Sequence, residues 1–219
     1  MKVPIVVIGA GGFGRETIDV LEAMNLAGPS PAWELLGVVD ANPSQLNLIR
    51  LAERGVAYLG REDAWLRSGN RAHYLIAIGS PQVRARIDSA WRDAGLTAAA
   101  VVHPMATLGS HVTVGHGSVI CAGVQVSTNV TLGRHVHLNP NATIGHDTIL
   151  GDFVSVNPAA VVSGDVVVGT ASLVGAGAVI LQGLAVGENS VIGASACVTR
   201  DVGMSVTVKG VPARESGVK

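Results

Sequence analysis

The first residues equipped for chemistry are Gly9-Ala10-Gly11-Gly12-Phe13-Gly14. They follow the apolar run Val3-Pro4-Ile5-Val6-Val7-Ile8 and precede Arg15–Met24, whose apolar residues recur at helical spacing. Between a strand and a helix, a Gly-x-Gly-x-x-Gly turn lets the backbone approach a phosphate or ribose closely, and the helix N-terminus favours an anionic group. Asp40 ends a second apolar run, Leu35–Val39, where an acid accepts hydrogen bonds from a ribose or base. A third run, His73–Ile78, closes with Gly79-Ser80-Pro81 before a helical stretch over Gln82–Ala94. Ligands of open α/β sheets sit at the carboxyl ends of the strands. The candidate binding positions are therefore Gly11, Gly12, Phe13, Gly14, Asp40, Gly79 and Ser80. Arg84 and Arg86 on the last helix either meet substrate phosphates or form a solvated face.

Seven histidines invite a metal reading. His111 and His116 are five apart, but a third ligand would have to be His135, His137 or His146. Cys121 and Cys197 have no neighbouring histidine to activate them, and both are expected as thiols of a reducing, cytoplasmic compartment. The formal net charge of −1 and the lack of Lys/Arg clusters argue against nucleic acid as a partner. No apolar run approaches the ~18 residues of a membrane span, and the N-terminus has no cleavage-site pattern.

Two kinds of element must position these groups. Residues 1–97 read as a small α/β domain with a short parallel sheet, Rossmann-like in its first turn. From Val102 to Val198 every sixth residue is Val, Leu or Ile without interruption, and Gly often follows, as at Gly109, Gly115, Gly133, Gly145 and Gly151. A period of six fits neither an amphipathic helix nor an alternating strand. It fits a solenoid in which each hexad lays down a short β-segment and turns a corner. Aromatic residues make up only 3% of the chain, so Val, Ala, Ile and Leu must fill its interior.

A glycine-rich α/β unit followed by an unbroken hexad run resembles the hexapeptide-repeat sugar O-/N-acyltransferases of the sialic acid O-acetyltransferase type, and among them the N-acetyltransferases of nucleotide-linked 4-amino sugars. The likeness covers essentially the whole chain. Its markers are Gly9–Gly14, Gly37-Val38-Val39-Asp40, Ile76-Ala77-Ile78-Gly79, Ile144-Gly145-His146-Asp147 and Gly210-Val211-Pro212-Ala213-Arg214. The resemblance implies a left-handed parallel β-helix over 98–202, with 18-residue triangular coils numbering roughly 5.7, and a C-terminal cap over 203–219. Residues 18 apart would stack, Asn139 on Asn157 and Pro140 on Pro158. Cys121 and Cys197 would then lie about 19 Å apart, beyond disulfide reach.

The same resemblance implies that the N-terminal unit holds a nucleotide sugar and that acetyl-CoA, the acyl donor, lies in the groove between subunits of a homotrimer. It implies His146 as general base with Asp147 as its acidic neighbour. Imidazole titrates near neutrality, which suits deprotonation of an attacking amine or hydroxyl. Gly164 falls near the thioester as an oxyanion donor. Ala194, Lys209, Gly210 and Arg214 fall on the acetyl-CoA side, the two basic residues toward the 3′-phosphate, and Asn139 and Ser155 on the acceptor side. Relatives often carry His at the positions of Phe13 and Ser155, so the acceptor sugar is where this chain departs from the pattern. No resident metal is expected. The alternatives are a γ-type carbonic anhydrase, which shares the solenoid, a dinucleotide-binding module, or a non-catalytic nucleotide/CoA-binding protein.

Overall fold

The computed structural model describes residues 2–29 and 32–216. Residues 217–219 of the expected cap, and residues 1, 30 and 31 of the expected N-terminal domain, lie outside the described residues. The chain divides into two compact units, Met1–His103 and Pro104–Lys219.

In the first unit, β1 (Val3–Ile8) is the central strand of a parallel sheet, with β2 (Trp33–Val39) and β3 (His73–Ile76) on either side. Its Val/Ile run is buried from Ile5 to Ile8, as expected of a strand covered on both faces. Helix α1 (Gly12–Ala27) follows β1, α2 (Gln45–Glu53) and α3 (Glu62–Arg67) follow β2, and α4 (Pro81–Asp93) follows β3. Ser44 caps α2 and Ser80 caps α4 by accepting from the amides of Asn47 and Val83. The few aromatics gather here: Trp65, Tyr74 and Trp91 are buried, and the Tyr74 hydroxyl donates to Asp88 at 2.7 Å. The boundary lies beyond residue 97 because Ala98 bridges Tyr74 and the Ala99 amide donates to the Tyr74 carbonyl, adding this stretch to the small sheet.

The second unit is a parallel β-solenoid of two-residue strands. Most pair with the strand 18 residues on, as in His137↔Ser155, Thr143↔Val161 and Ile149↔Val167, while at the C-terminal end Val191–Ile192 pairs with Thr207–Val208. The hexad aliphatics are buried from Ile120 through Val198, while Leu108 and Val114 in the first coil are half-buried. Residues four positions on also point inward. Where these are polar, at Ser118, Thr148, Ser172 and Ser190, the hydroxyls donate to turn carbonyls of Gly133, Ser163, Gly187 and Gly203. Most corners carry one left-handed residue, often not glycine: His111, Asn129, Asp147 and Asp165 form one column with φ near +58°. Amide-to-carbonyl bonds between coils, such as Asp147 to Thr128 and Asp165 to His146, hold these backbones in that region. The last strand, Thr207–Lys209, turns back onto Arg214–Glu215 as an antiparallel hairpin.

Candidate active site

Hexad packing dictates the surroundings of His146. Ile144 is buried in the lumen, and a side chain at Gly145 would collide with the Gly164 backbone of the next coil. Thr148 turns inward, so His146 and Asp147 are left at the corner facing outward, their side chains 55% and 44% exposed. His146 Nδ1 lies 2.7 Å from Asp147 Oδ2. An ionised carboxylate only accepts, so Nδ1 carries the proton and Nε2 is left as the basic nitrogen. The other Asp147 oxygen accepts from Asn129 Nδ2 at 3.0 Å. The bond to His146, then that to Asn129, holds the Asp147 carboxyl below its ordinary range. The imidazole lies over Gly164, whose missing side chain leaves room for it. Asp165, next along the corner column, brings a carboxylate oxygen within 4.8 Å of His146 and Asp147 donor atoms. The corner thus gathers an oriented imidazole, a fixed carboxylate and a second acid, a set suited to accepting a proton from a cationic nucleophile.

In the first unit, Gly9 and Gly14 shape the turn. Gly9 has φ +115°, and a Cβ on it would sit 2.8 Å from the Ala77 carbonyl oxygen; one on Gly14 would strike the Gly9 carbonyl. The N-cap of α1 is Gly11, with no side-chain cap and no acid in the first turn, so no carboxylate of that turn sits against the positive end of the helix dipole. Asp40 accepts from the amides of Ala10 at 2.8 Å and Asn42 at 2.9 Å, so it ties the glycine turn to the end of β2. Beside it opens a groove of about 470 Å³, whose lining includes apolar Leu66, Val83 and Ile87 and charged Asp40, Arg61 and Arg86.

Residues 4–89 match the PglD N-terminal domain family. GDP-perosamine N-acetyltransferase of Escherichia coli O157:H7 is 31% identical over 133 residues, which are 61% of this chain and 58% of that enzyme; the chain spans less than two thirds of this curated relative. The crystal structure of a variant perosamine N-acetyltransferase from Caulobacter crescentus, in complex with CoA and GDP-perosamine, is 30% identical over 98% of this chain and 97% of its own, with a TM-score of 0.87. The chain belongs to the nucleotide 4-amino-sugar N-acetyltransferase family. The acetyltransferase domain of PglB from Neisseria gonorrhoeae FA1090, in complex with acetyl coenzyme A, is 26% identical over 99% of this chain and 100% of that domain, with a TM-score of 0.84. The solenoid is accordingly a left-handed β-helix, as in these acetyltransferases.

For a member of this N-acetyltransferase family, the structure sorts the sequence-derived candidates. His146, Asp147 and Gly164 come together. Lys209 and Arg214 are register partners across the C-terminal hairpin, with Gly210 at φ +94° in its turn. Ala194 is exposed at a different corner, where its amide approaches Gly175. Asn139 and His146 occupy consecutive corners of one coil, with Thr143–Ile144 between them, and the Asn139 amide donates to Val156 O at 3.0 Å. Ser155 is only 3% exposed in register with His137, so within one chain it offers a ligand almost no surface. Phe13 is half-buried in the first turn of α1, whereas Gly12 is exposed.

Arg84 corrects both readings made of it. It is fully buried and donates to the carbonyls of Ile78 at 2.9 Å and Gly79 at 3.0 Å, so it braces the turn after β3 and meets neither solvent nor a phosphate. Burial pushes its pKa down to about 10, still protonated at neutral pH. The metal reading of His111 and His116 also changes: among the described residues, the group that clusters ligand atoms is His146, Asp147 and Asp165. Sequence reasoning missed Asn129 and Asp165 as members of the site. The available signal was their place one coil before and one coil after Asp147.

Proposed function

We propose that this protein acetylates the amino group of a nucleotide-linked amino sugar, with acetyl-CoA as donor. The observation that carries the reading is the His146–Asp147 bond at 2.7 Å with the imidazole seated over Gly164. A sugar amine is an ammonium at neutral pH, and the carboxylates of Asp147 and Asp165 favour its approach. The bound ammonium first releases one proton to solvent; Nε2 of His146 then takes a second from the neutral amine as its nitrogen attacks the thioester carbonyl. The Gly164 amide donates to the resulting oxyanion, and collapse forms the amide bond while breaking C–S. The imidazolium returns its proton to the departing CoA sulfur, so no covalent enzyme intermediate is needed.

The nucleotide part of the acceptor is assigned to the glycine turn Gly11–Gly14, to Asp40 and to Gly79–Ser80, with the neighbouring groove for the base or ribose. Lys209 and Arg214 are assigned to the 3′-phosphate of CoA, and Gly210 and Ala194 to its flanks; Asn139 is assigned to the acceptor. The working form is read as a cytoplasmic homotrimer. In support, Ile149 and Val167 expose aliphatic side chains, 48% and 47% accessible, on the sheet that follows the His146 corner, a face that a second subunit would cover.

The test is a thiol-release assay with acetyl-CoA against UDP-, GDP- and dTDP-linked amino sugars and free sialic acid. Thiol release with an amino sugar, lost by about 10²–10⁴-fold in His146→Ala, is the expected result. Undiminished turnover of that variant would remove His146 as the base.

A further inference from the structure

Asp147 has two carboxylate oxygens, and neither is left to solvent alone. Oδ2 holds His146 Nδ1, while Oδ1 is held from the coil below by Asn129 Nδ2 at 3.0 Å. Both anchors are exposed side chains. The His146 side chain is 55% exposed; the Asn129 backbone is held by its own corner, with φ +58° and its main-chain amide donating to Ser110 O at 2.9 Å. Asp147 sits one coil on with φ +59°, and its amide donates to Thr128 O at 3.0 Å. Two neighbouring left-handed residues of one column thereby aim their side chains at each other. A carboxylate bound at one oxygen only can swing about its Cβ–Cγ bond, and the imidazole would swing with it.

We propose that Asn129 is a positioning residue of the acetyl-transfer site: its amide locks the Asp147 carboxylate so that His146 keeps its proton on Nδ1 and points Nε2 at the acceptor. This rests on the reading of His146 as the base. Asn129 touches no reacting atom; it acts through Asp147. An amide suits the position because it donates without adding charge. An acid there would repel Asp147, and an aliphatic residue could not donate. The ionisable groups that cluster with the imidazole are Asp147 and Asp165, and His111 precedes Asn129 by one coil in the corner column.

The test uses the full-length chain and two substitutions, with His146→Ala as reference. Asn129→Gly removes the amide but keeps a residue at ease with φ +58°, the solution this column already adopts at Gly183. Asn129→Asp keeps the shape and reverses the electrostatics. For Asn129→Gly we expect kcat to fall about 10- to 100-fold, the cost of losing an outer hydrogen-bond partner. KM for both substrates and Tm should hold. Without the Asn129 donor the carboxylate is more basic and stabilises the imidazolium more, so the acid limb of the kcat profile moves to higher pH. Asn129→Asp should move it further in the same direction. In the His146→Ala background, Asn129→Gly should add little, since its effect passes through the imidazole. Unchanged kcat and acid limb in Asn129→Gly, alongside a crippled His146→Ala, would overturn the positioning role and leave the base intact. An equal loss from Asn129→Gly with and without His146 would also overturn it. Full turnover in His146→Ala would instead remove the base and, with it, this role.

Discussion

The His146 imidazole occupies the space that a side chain on Gly164 would take: Cε1 and Nε2 both lie 2.6 Å from the position of a Cβ there. The Gly164 backbone is not in the left-handed region, so alanine is conformationally allowed and only the contact is disturbed. Gly164→Ala should therefore push the ring aside without unfolding the coil. We expect kcat to fall by about 10²-fold, the scale of an ångström of misplacement, with Tm nearly unchanged. Steady-state kinetics beside thermal denaturation checks both halves.

Asp147 bears on the pH profile. Its carboxyl is held below the ordinary range by His146 and Asn129, so it stays ionised through the neutral and mildly acidic region. The sign follows: whatever this pair adds to stability is present above the unfolded carboxyl pKa of about 3.9 and is lost only as pH falls through the lower folded value. The acid limb of kcat is therefore not set by the Asp147 carboxyl. Asp147→Asn removes the negative charge, which should move that limb to lower pH and reduce kcat by about 10²-fold or more. A limb that stays in place while kcat falls would refute this electrostatic role.

Gly9 lies at φ +115° with a carbonyl where its Cβ would be, so Gly9→Ala should cost more than about 1 kcal/mol of unfolding free energy. Because the same turn leads into the N-terminus of α1, KM for the nucleotide sugar should rise more than KM for acetyl-CoA. Urea denaturation and the two KM values separate the effects.

Arg84 and Arg86 lie two positions apart on α4 but should behave differently. Arg84→Ala empties a fully buried site and removes the donor to the Ile78 and Gly79 carbonyls, and about 1–3 kcal/mol of stability should be lost. Arg86 is exposed beside the groove near Asp40, so Arg86→Ala should change stability by less than about 0.5 kcal/mol while raising KM for a phosphate-bearing acceptor. Equal behaviour of the two variants in denaturation would contradict the assignment of Arg84 to the turn.

Periodicity made the solenoid legible, because each lumen position must be aliphatic and each strand must stack 18 residues on; a single chain shows both constraints directly. The glycine turn was legible for a similar reason, since Gly9 and Gly14 stand where any Cβ would meet a carbonyl. The stack of Asn139 on Asn157 was also readable, and the Nδ2–Oδ1 distance of 3.4 Å reflects it. The burial of Arg84 was not readable: its helix face follows from spacing, but whether that face meets water depends on how α4 lies against the turn after β3. Likewise, Ser155 looks like any outward strand position until its 3% exposure is known.

The sequence by itself determined the architecture and the pairing of an imidazole with an acid at one corner, because repeats and adjacent residues impose those directly. Only the tertiary structure decided which residues complete that corner. Asn129 and Asp165 reach His146 and Asp147 from other coils, and contacts across coils depend on the turn geometry and on left-handed backbones that no local pattern of side chains announces.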